Sequence, residues 1–173
     1  VELSRIDLKQ FKKVLPYLPD VEGWLGGSLH YVDSEGQMML SADMNLDNFV
    51  YEKSPLGNWT MSGAYLPGDN NAHHVDGFIT YNDQEIIYMN GVYQANETGQ
   101  ENITGELELQ HFPLRVINPF IPEKMVAFTG DIDGTLSMTG SPMKPVLNGG
   151  LQLDSVLMIM PDMSVGFRFD NKQ

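Results

Sequence analysis

The hydrophobic and polar positions of this chain follow two periods. Leu8, Phe11 and Leu15 recur at helical spacing, Lys12 and Lys13 stand in the last turn, and Pro16 stops the run. Ser4 sits where an N-cap sits, with the acidic Asp7 three residues on, so a short amphipathic helix is predicted from Ser4 to Leu15. From Gly23 the period drops to two. Leu25, Gly27, Leu29 and Tyr31 share one face of a strand, and Trp24, Gly26, Ser28 and His30 share the other. After a turn at 33–36 the alternation resumes with Leu40, Ala42, Met44 and Leu46, and after a turn at 54–57 with Trp59, Met61 and Gly63. Residues 66–72 read as a breaker-rich loop. Strands are predicted at 77–80, 85–89, 91–94 and 103–110, with turns at Asn82-Asp83 and Asn90-Gly91, the latter a strong hairpin cue. Residues 97–102 read as loop, and 112–121 as a helical turn between prolines. Then Ile132, Leu136 and Met138 alternate with Asp131, Asp133, Thr135 and Ser137. Asp154-Ser155 breaks the phase, 156–160 is apolar on both faces, and Pro161-Asp162 turns the chain. Met163, Val165, Phe167 and Phe169 then alternate with Ser164, Gly166, Arg168 and Asp170. The expected fold is mainly β, built of antiparallel hairpins with one apolar and one wet face, and carries one or two short capping helices.

The pattern repeats. Residues 130–156 lie on 23–49 without a gap at a shift of 107 positions, pairing Gly23 with Gly130, Gly27 with Gly134, Leu29 with Leu136, Leu46 with Leu153 and Asp47 with Asp154. Upstream, Pro16-Tyr17-Leu18-Pro19 matches Pro119-Phe120-Ile121-Pro122 at a shift of 103. The repeat units span roughly 8–49 and 112–156. A unit too small to cover its own apolar face is normally stacked on others in an elongated sheet or solenoid. Two copies are few for such an array. The 173 residues are therefore read as a single β-rich fragment of a larger protein.

Composition narrows the function classes. A net charge of −13 argues against nucleic acid and against docking on anionic head groups, and it keeps an apolar-faced sheet soluble. With no cysteine there is no disulfide and no thiolate nucleophile or metal ligand. His73-His74 invites a metal, but neighbours on a strand point to opposite faces and no third ligand stands at a useful spacing. Asp131 and Asp133 share a wet face without the loop that calcium needs. Asn58, Asn96 and Asn102 each begin a glycosylation sequon, which matters only in a eukaryotic secreted chain. No nucleophile elbow, phosphate loop or dinucleotide fingerprint occurs. Acids are plentiful enough for a glycosidase-type pair, but nothing marks any two as partners, so a hydrolase stands as the third reading and no cofactor is expected. Eleven methionines, many at apolar-face positions, are the unusual feature, since methionine adapts to flexible apolar ligands as readily as it fills a core.

The segment 114–122, the run Gly130-x-Ile-x-Gly-x-Leu-x-Met-x-Gly140, and the run 145–154, PVLNGGLQLD, together resemble the repeating C-terminal region of the TamB and AsmA-like family. That resemblance implies a curved antiparallel sheet, a β-taco or open trough that is polar outside and apolar inside. It further implies a periplasmic, non-enzymatic protein, anchored in the inner membrane outside this fragment. Such a protein works with an outer-membrane assembly barrel of the TamA/BamA kind, and helps move phospholipid or unfolded outer-membrane protein. The groove is then expected to be lined by Leu136, Met138, Leu147, Leu151, Leu153, Met163, Val165 and Phe167, with Leu29, Leu40, Met44 and Leu46 as their counterparts in the first copy. The rival expectation is a closed β-sandwich that binds carbohydrate or protein at a bacterial surface through exposed Trp24, Trp59 and tyrosines.

Overall fold

A computed structural model describes residues 1–17, 19–34, 37–95, 101–122 and 125–169. The expected turn at 33–36 and loop at 97–102 lie partly outside these residues; Leu18, Asp170 and the Asn96 sequon lie outside them. Ten strands form a single antiparallel sheet in strict sequence order, and the sheet is not closed. They are β1 (Glu2–Asp7), β2 (Val21–Ser34), β3 (Gln37–Tyr51), β4 (Ser54–Pro67), β5 (Ala72–Tyr81), β6 (Gln84–Ala95), β7 (Glu101–Pro113), β8 (Ala127–Ser141), β9 (Lys144–Met160) and β10 (Val165–Phe169). The two-layer sandwich is thereby overturned: no second sheet faces the first among the described residues.

Register carries the period-two pattern straight across the sheet. Gly27, Met44, Met61, Ile79, Ile87, Leu109, Gly134 and Leu151 are successive cross-strand partners from β2 to β9. The row beside it runs Leu29, Ala42, Gly63, Gly77, Met89, Leu107, Leu136 and Gly149. One face is thus apolar from edge to edge, and it is also the concave face. Leu25 on β2 and Phe112 on β7 line one cavity, although five strand spacings in a flat sheet would set them roughly 24 Å apart. Glycine lets the strands close up on that side. A Cβ at Gly77 would come within 2.8 Å of the Ser62 carbonyl oxygen, and one at Gly105 within 2.7 Å of the Asn90 oxygen.

Near one end of the trough the strands bend together. The pairing slips between Glu22 and Trp24, Leu46 and Phe49, Ile79 and Thr80, Leu109 and Phe112, and Thr129 and Asp131, a line of bulges running across the sheet. Gly23, Asn48, His111, Gly130 and Ser155 take positive φ there, at 134°, 51°, 46°, 89° and 52°. Gly23 and Gly130 are 107 positions apart, as are Asn48 and Ser155, so both hairpins of the sequence repeat carry the same pair of bulges. Asparagine and aspartate satisfy amides displaced at the bend. Asn48 N donates to Asn58 Oδ1 at 2.8 Å, Asn58 N to Asn82 Oδ1 at 2.9 Å, and His111 N to Asp133 Oδ1 at 2.8 Å.

Beyond the bend the trough is plugged by a 3-10 helix, Leu114–Phe120. Asn118 holds it to β8 like an added rung of sheet, its Nδ2 donating to the Phe128 carbonyl at 2.7 Å and its Oδ1 accepting from Phe128 N at 2.8 Å. Leu114 and Val116 on this plug, with Leu56, Ile86 and Val156 on the strands, are the buried hydrophobic residues among those described. The break in phase at Asp154-Ser155 is the bulge that precedes the buried Val156.

Three expectations are corrected. The N-terminal helix does not start at Ser4: Glu2–Asp7 is a strand, because Leu3 and Ile6 gain Gly27 and Leu25 as partners. Asp7 is the cap, accepting from Lys9 N at 3.0 Å, and the helical residues are Leu8–Gln10 and Phe11–Val14. Asn90-Gly91 is no turn but the middle of β6, with Asn90 between Asp76 and Glu106 on the convex face and Gly91 between Val75 and Gly105 on the crowded concave one. Met163 lies in the 3-10 turn Pro161–Met163, outside β10, because Ser164 at φ 52° ends that turn before the strand begins.

The bulge geometry sets a stability test. At Gly130 (φ +89°) a Cβ would stand 2.6 Å from the Ser155 carbonyl oxygen and 2.7 Å from the Val156 Cα. Gly130→Ala is expected to cost more than about 2 kcal/mol, while Ser155→Gly, which relieves a left-handed serine, stays within about 1 kcal/mol of the parent or gains. Urea denaturation of both variants measures the difference.

Candidate functional site: the concave face

At the plugged end of the trough the apolar rows meet the plug in a cavity of about 460 Å³. Leu25, Met44, Leu46, Phe49, Leu56, Trp59, Met61 and Ile79 from the sheet face Phe112, Val116, Ile117 and Phe120. Asn45 and Thr60 border the cavity as well, but they alternate with Met44 and Met61 and their side chains bond on the convex face, Asn45 to Asp47 and Thr60 to Thr80. The Trp59 indole is not a free stacking platform. Its Nε1 donates to the Leu56 carbonyl at 2.8 Å, and its ring leans on Tyr81 with centroids 4.9 Å apart. Phe120 closes the other side against Tyr51, at 4.6 Å. Trp24 is on the convex face beneath the Arg5 guanidinium, 4.8 Å from its ring.

Of the expected lining residues, Met44 and Leu46 are in the cavity wall. Leu29 and Leu40 lie further along the same face, beside Ala42 and Tyr65. Leu136 and Met138 oppose Leu107 and Gly105 on that face. Leu147, Leu151 and Leu153 oppose Met138, Gly134 and Ile132. Leu147 is 61% exposed and Leu151 44%, so this wall of the trough is open to solvent. Val165 and Phe167 continue the face on β10 opposite Met160 and Met158, while Met163 sits apart in its turn, 72% exposed. Leu25, Phe49, Leu56, Trp59, Met61, Ile79, Phe112 and the plug residues were missed as lining. The signal for them was the second proline-bracketed turn, which places its apolar residues over the bend.

Polar chemistry gathers away from the plug. Tyr65, His73 and Tyr93 stand side by side on β4, β5 and β6, with ring centroids 5.9 Å and 5.6 Å apart, and the Tyr65 hydroxyl meets His73 Nδ1 at 2.7 Å. Two residues further along the same face Glu101 accepts a hydrogen bond from the Tyr93 hydroxyl, which raises the pKa of that phenol. On the convex face the Tyr88 hydroxyl donates to Asp76 at 2.8 Å, with the same consequence. Among the described residues no group of three or more His, Asp or Glu side chains could hold a metal ion, and no helix is long and apolar enough to cross a membrane.

Fold and site together define an open, single-sheet β-trough with an apolar concave face. No family model, curated protein or solved structure matches the chain.

A phenol whose ionisation is opposed in the folded chain stabilises it below the ordinary value of 10.0 and loses that contribution as pH rises past it, because the unfolded chain gives up its proton first. Tyrosinate absorbance is therefore expected to show Tyr88 and Tyr93 titrating above the ordinary value. Asp76→Asn should return Tyr88 towards it, and Glu101→Gln should do the same for Tyr93.

Proposed function

We propose that this chain is a conduit segment of a TamB-like periplasmic bridge. Its trough accommodates the acyl chains of phospholipid, or apolar stretches of an unfolded outer-membrane protein, on the way to an outer-membrane assembly barrel. The observation that carries this reading is the uncovered concave face, whose apolar rows cross eight strands while, among the described residues, only the plugged end is roofed by the chain itself. Such a face exposes Leu29, Met61, Leu147, Leu151 and Phe167. Each methylene that a bound chain buries there contributes about 0.8 kcal/mol. Methionine at Met44, Met61, Met89 and Met138 suits cargo of varied shape. The work asked of the trough is transfer, with no bond made or broken.

Organic extraction of the purified chain is expected to release phospholipid, and Met61→Asp, which places a charge on the cavity wall at a half-exposed site, to abolish that yield with the far-UV spectrum unchanged. Adding lipid to delipidated protein at about a hundred times its Kd should stabilise it by about 2.7 kcal/mol. A lipid-free preparation whose melting is indifferent to both lipid and detergent would sink the reading.

A further inference from the structure

The concave face is not uniform in charge along its length, and this points to the head group of its occupant. Of the strand lysines and arginines among the described residues, Arg5 lies over Trp24 on the convex side, and Lys144 and Arg168 alternate with the concave Pro145 and Phe167. No strand cation therefore shares the concave face. The strand acids there are two, both past the aromatic row at the unplugged end. Glu101 follows Tyr93 and Ile103, and Asp33 follows Tyr31, whose hydroxyl donates to it at 3.4 Å. Tyr65, His73 and Tyr93 form a contiguous aromatic row immediately below this acidic rim. Aromatic faces beside a carboxylate attract ammonium groups, while the carboxylate repels an anionic head.

Lengths agree with this polarity. Met61, in the cavity wall, and Tyr65 are four residues apart on β4, a rise of roughly 14 Å. One acyl chain spans half of a hydrocarbon core of about 30 Å, hence roughly 15 Å. A tail that ends in the cavity brings its head to the platform.

We propose that the unplugged end of the trough is a head-group site for an ammonium-bearing amphiphile, whose tail lies along Met44 and Met61 and whose cation rests on Tyr65, His73 and Tyr93 beside Glu101. This rests on the reading of the trough as a lipid conduit and adds the class of lipid: zwitterionic or cationic at the nitrogen, in preference to purely anionic. The acidic surface of the whole chain could favour any cation, so the test separates the rim from the bulk charge.

The intact chain is titrated calorimetrically with dodecyltrimethylammonium and with laurate, both below their micellar concentrations and at physiological ionic strength. The ammonium amphiphile is expected to bind about tenfold more tightly. Glu101→Gln should weaken it about fivefold, the scale of one exposed cation–π or ion-pair contact, and leave laurate unchanged. Glu85→Gln, which removes the same charge from the convex face, should change either affinity less than about twofold. Equal binding of the two amphiphiles, or equal losses from the two glutamine variants, would overturn the head-group site and leave the conduit standing. Failure of both amphiphiles to bind would remove the conduit reading as well.

Discussion

The constraint on which this structure depends is that a single sheet with one apolar face must shield that face without a second layer. The chain meets it at one end only. Leu114 and Val116 of the plug are buried there, and Val116 shares a cavity wall with Leu56; with Ile86 and Val156 these are the buried hydrophobic residues among those described. Elsewhere the apolar rows are partly covered by curvature alone. Burial of about 25 cal/mol per Å² of apolar surface is thus concentrated at the bend, and the rest of the trough is held by its ladder of backbone hydrogen bonds. That is an uneven stability, with a firm end at the plug and an adaptable one beyond it.

Bending the strands over the plug disturbs the ladder, and the chain repairs it with side chains. Asn58, Asn82 and Asp133 each accept from a neighbouring backbone amide at the bend, and Asn118 does the work of two backbone groups for the plug. Asn58, Asn82 and Asn118 thus have structural roles within the sheet and its plug. Glycine has the complementary part on the concave side, where Gly77 and Gly105 let carbonyls of the adjacent strands approach more closely than any Cβ allows. Curl, bulge and plug form one device, because the bulges fold the strand ends towards the space that the plug occupies.

The sequence told the concave face well and the bend poorly. Period-two alternation from Leu25 to Phe167 needs only local pleating, so register carried it through the eight strand pairings from β2 to β10, broken only at the bulges. The repeat at 107 positions was legible too, down to Gly23 and Gly130, whose left-handed φ no other residue adopts as cheaply. What local pattern could not reveal was pairing at a distance. Ser4 looks like an N-cap until β2 offers Leu3 and Ile6 a ladder, and Asn90-Gly91 looks like a hairpin until Gly91 is set between Val75 and Gly105. Trp59 looked like an exposed platform because one sequence cannot show the plug that lies over it. The aromatic row has the same origin: Tyr65, His73 and Tyr93 are scattered over 29 positions and meet only through the register of β4, β5 and β6.

An open sheet also has two edges, and the chain treats them differently. β1 breaks its pairing between Leu3 and Ile6 and sets Glu2, Arg5 and Asp7 along six residues, so bulge and charge both discourage a foreign strand. β10 pairs evenly with β9 from Val165 to Phe169, has neither bulge nor proline, and carries one charged residue, Arg168. Its Val165, Phe167 and Phe169 are each 40% exposed or more and extend the concave face to the last described strand. A sheet whose apolar surface ended at β9 would present a wet margin there. This one carries its apolar rows to the edge itself, so any further strand of matching alternation laid against β10 would lengthen the trough without interrupting it.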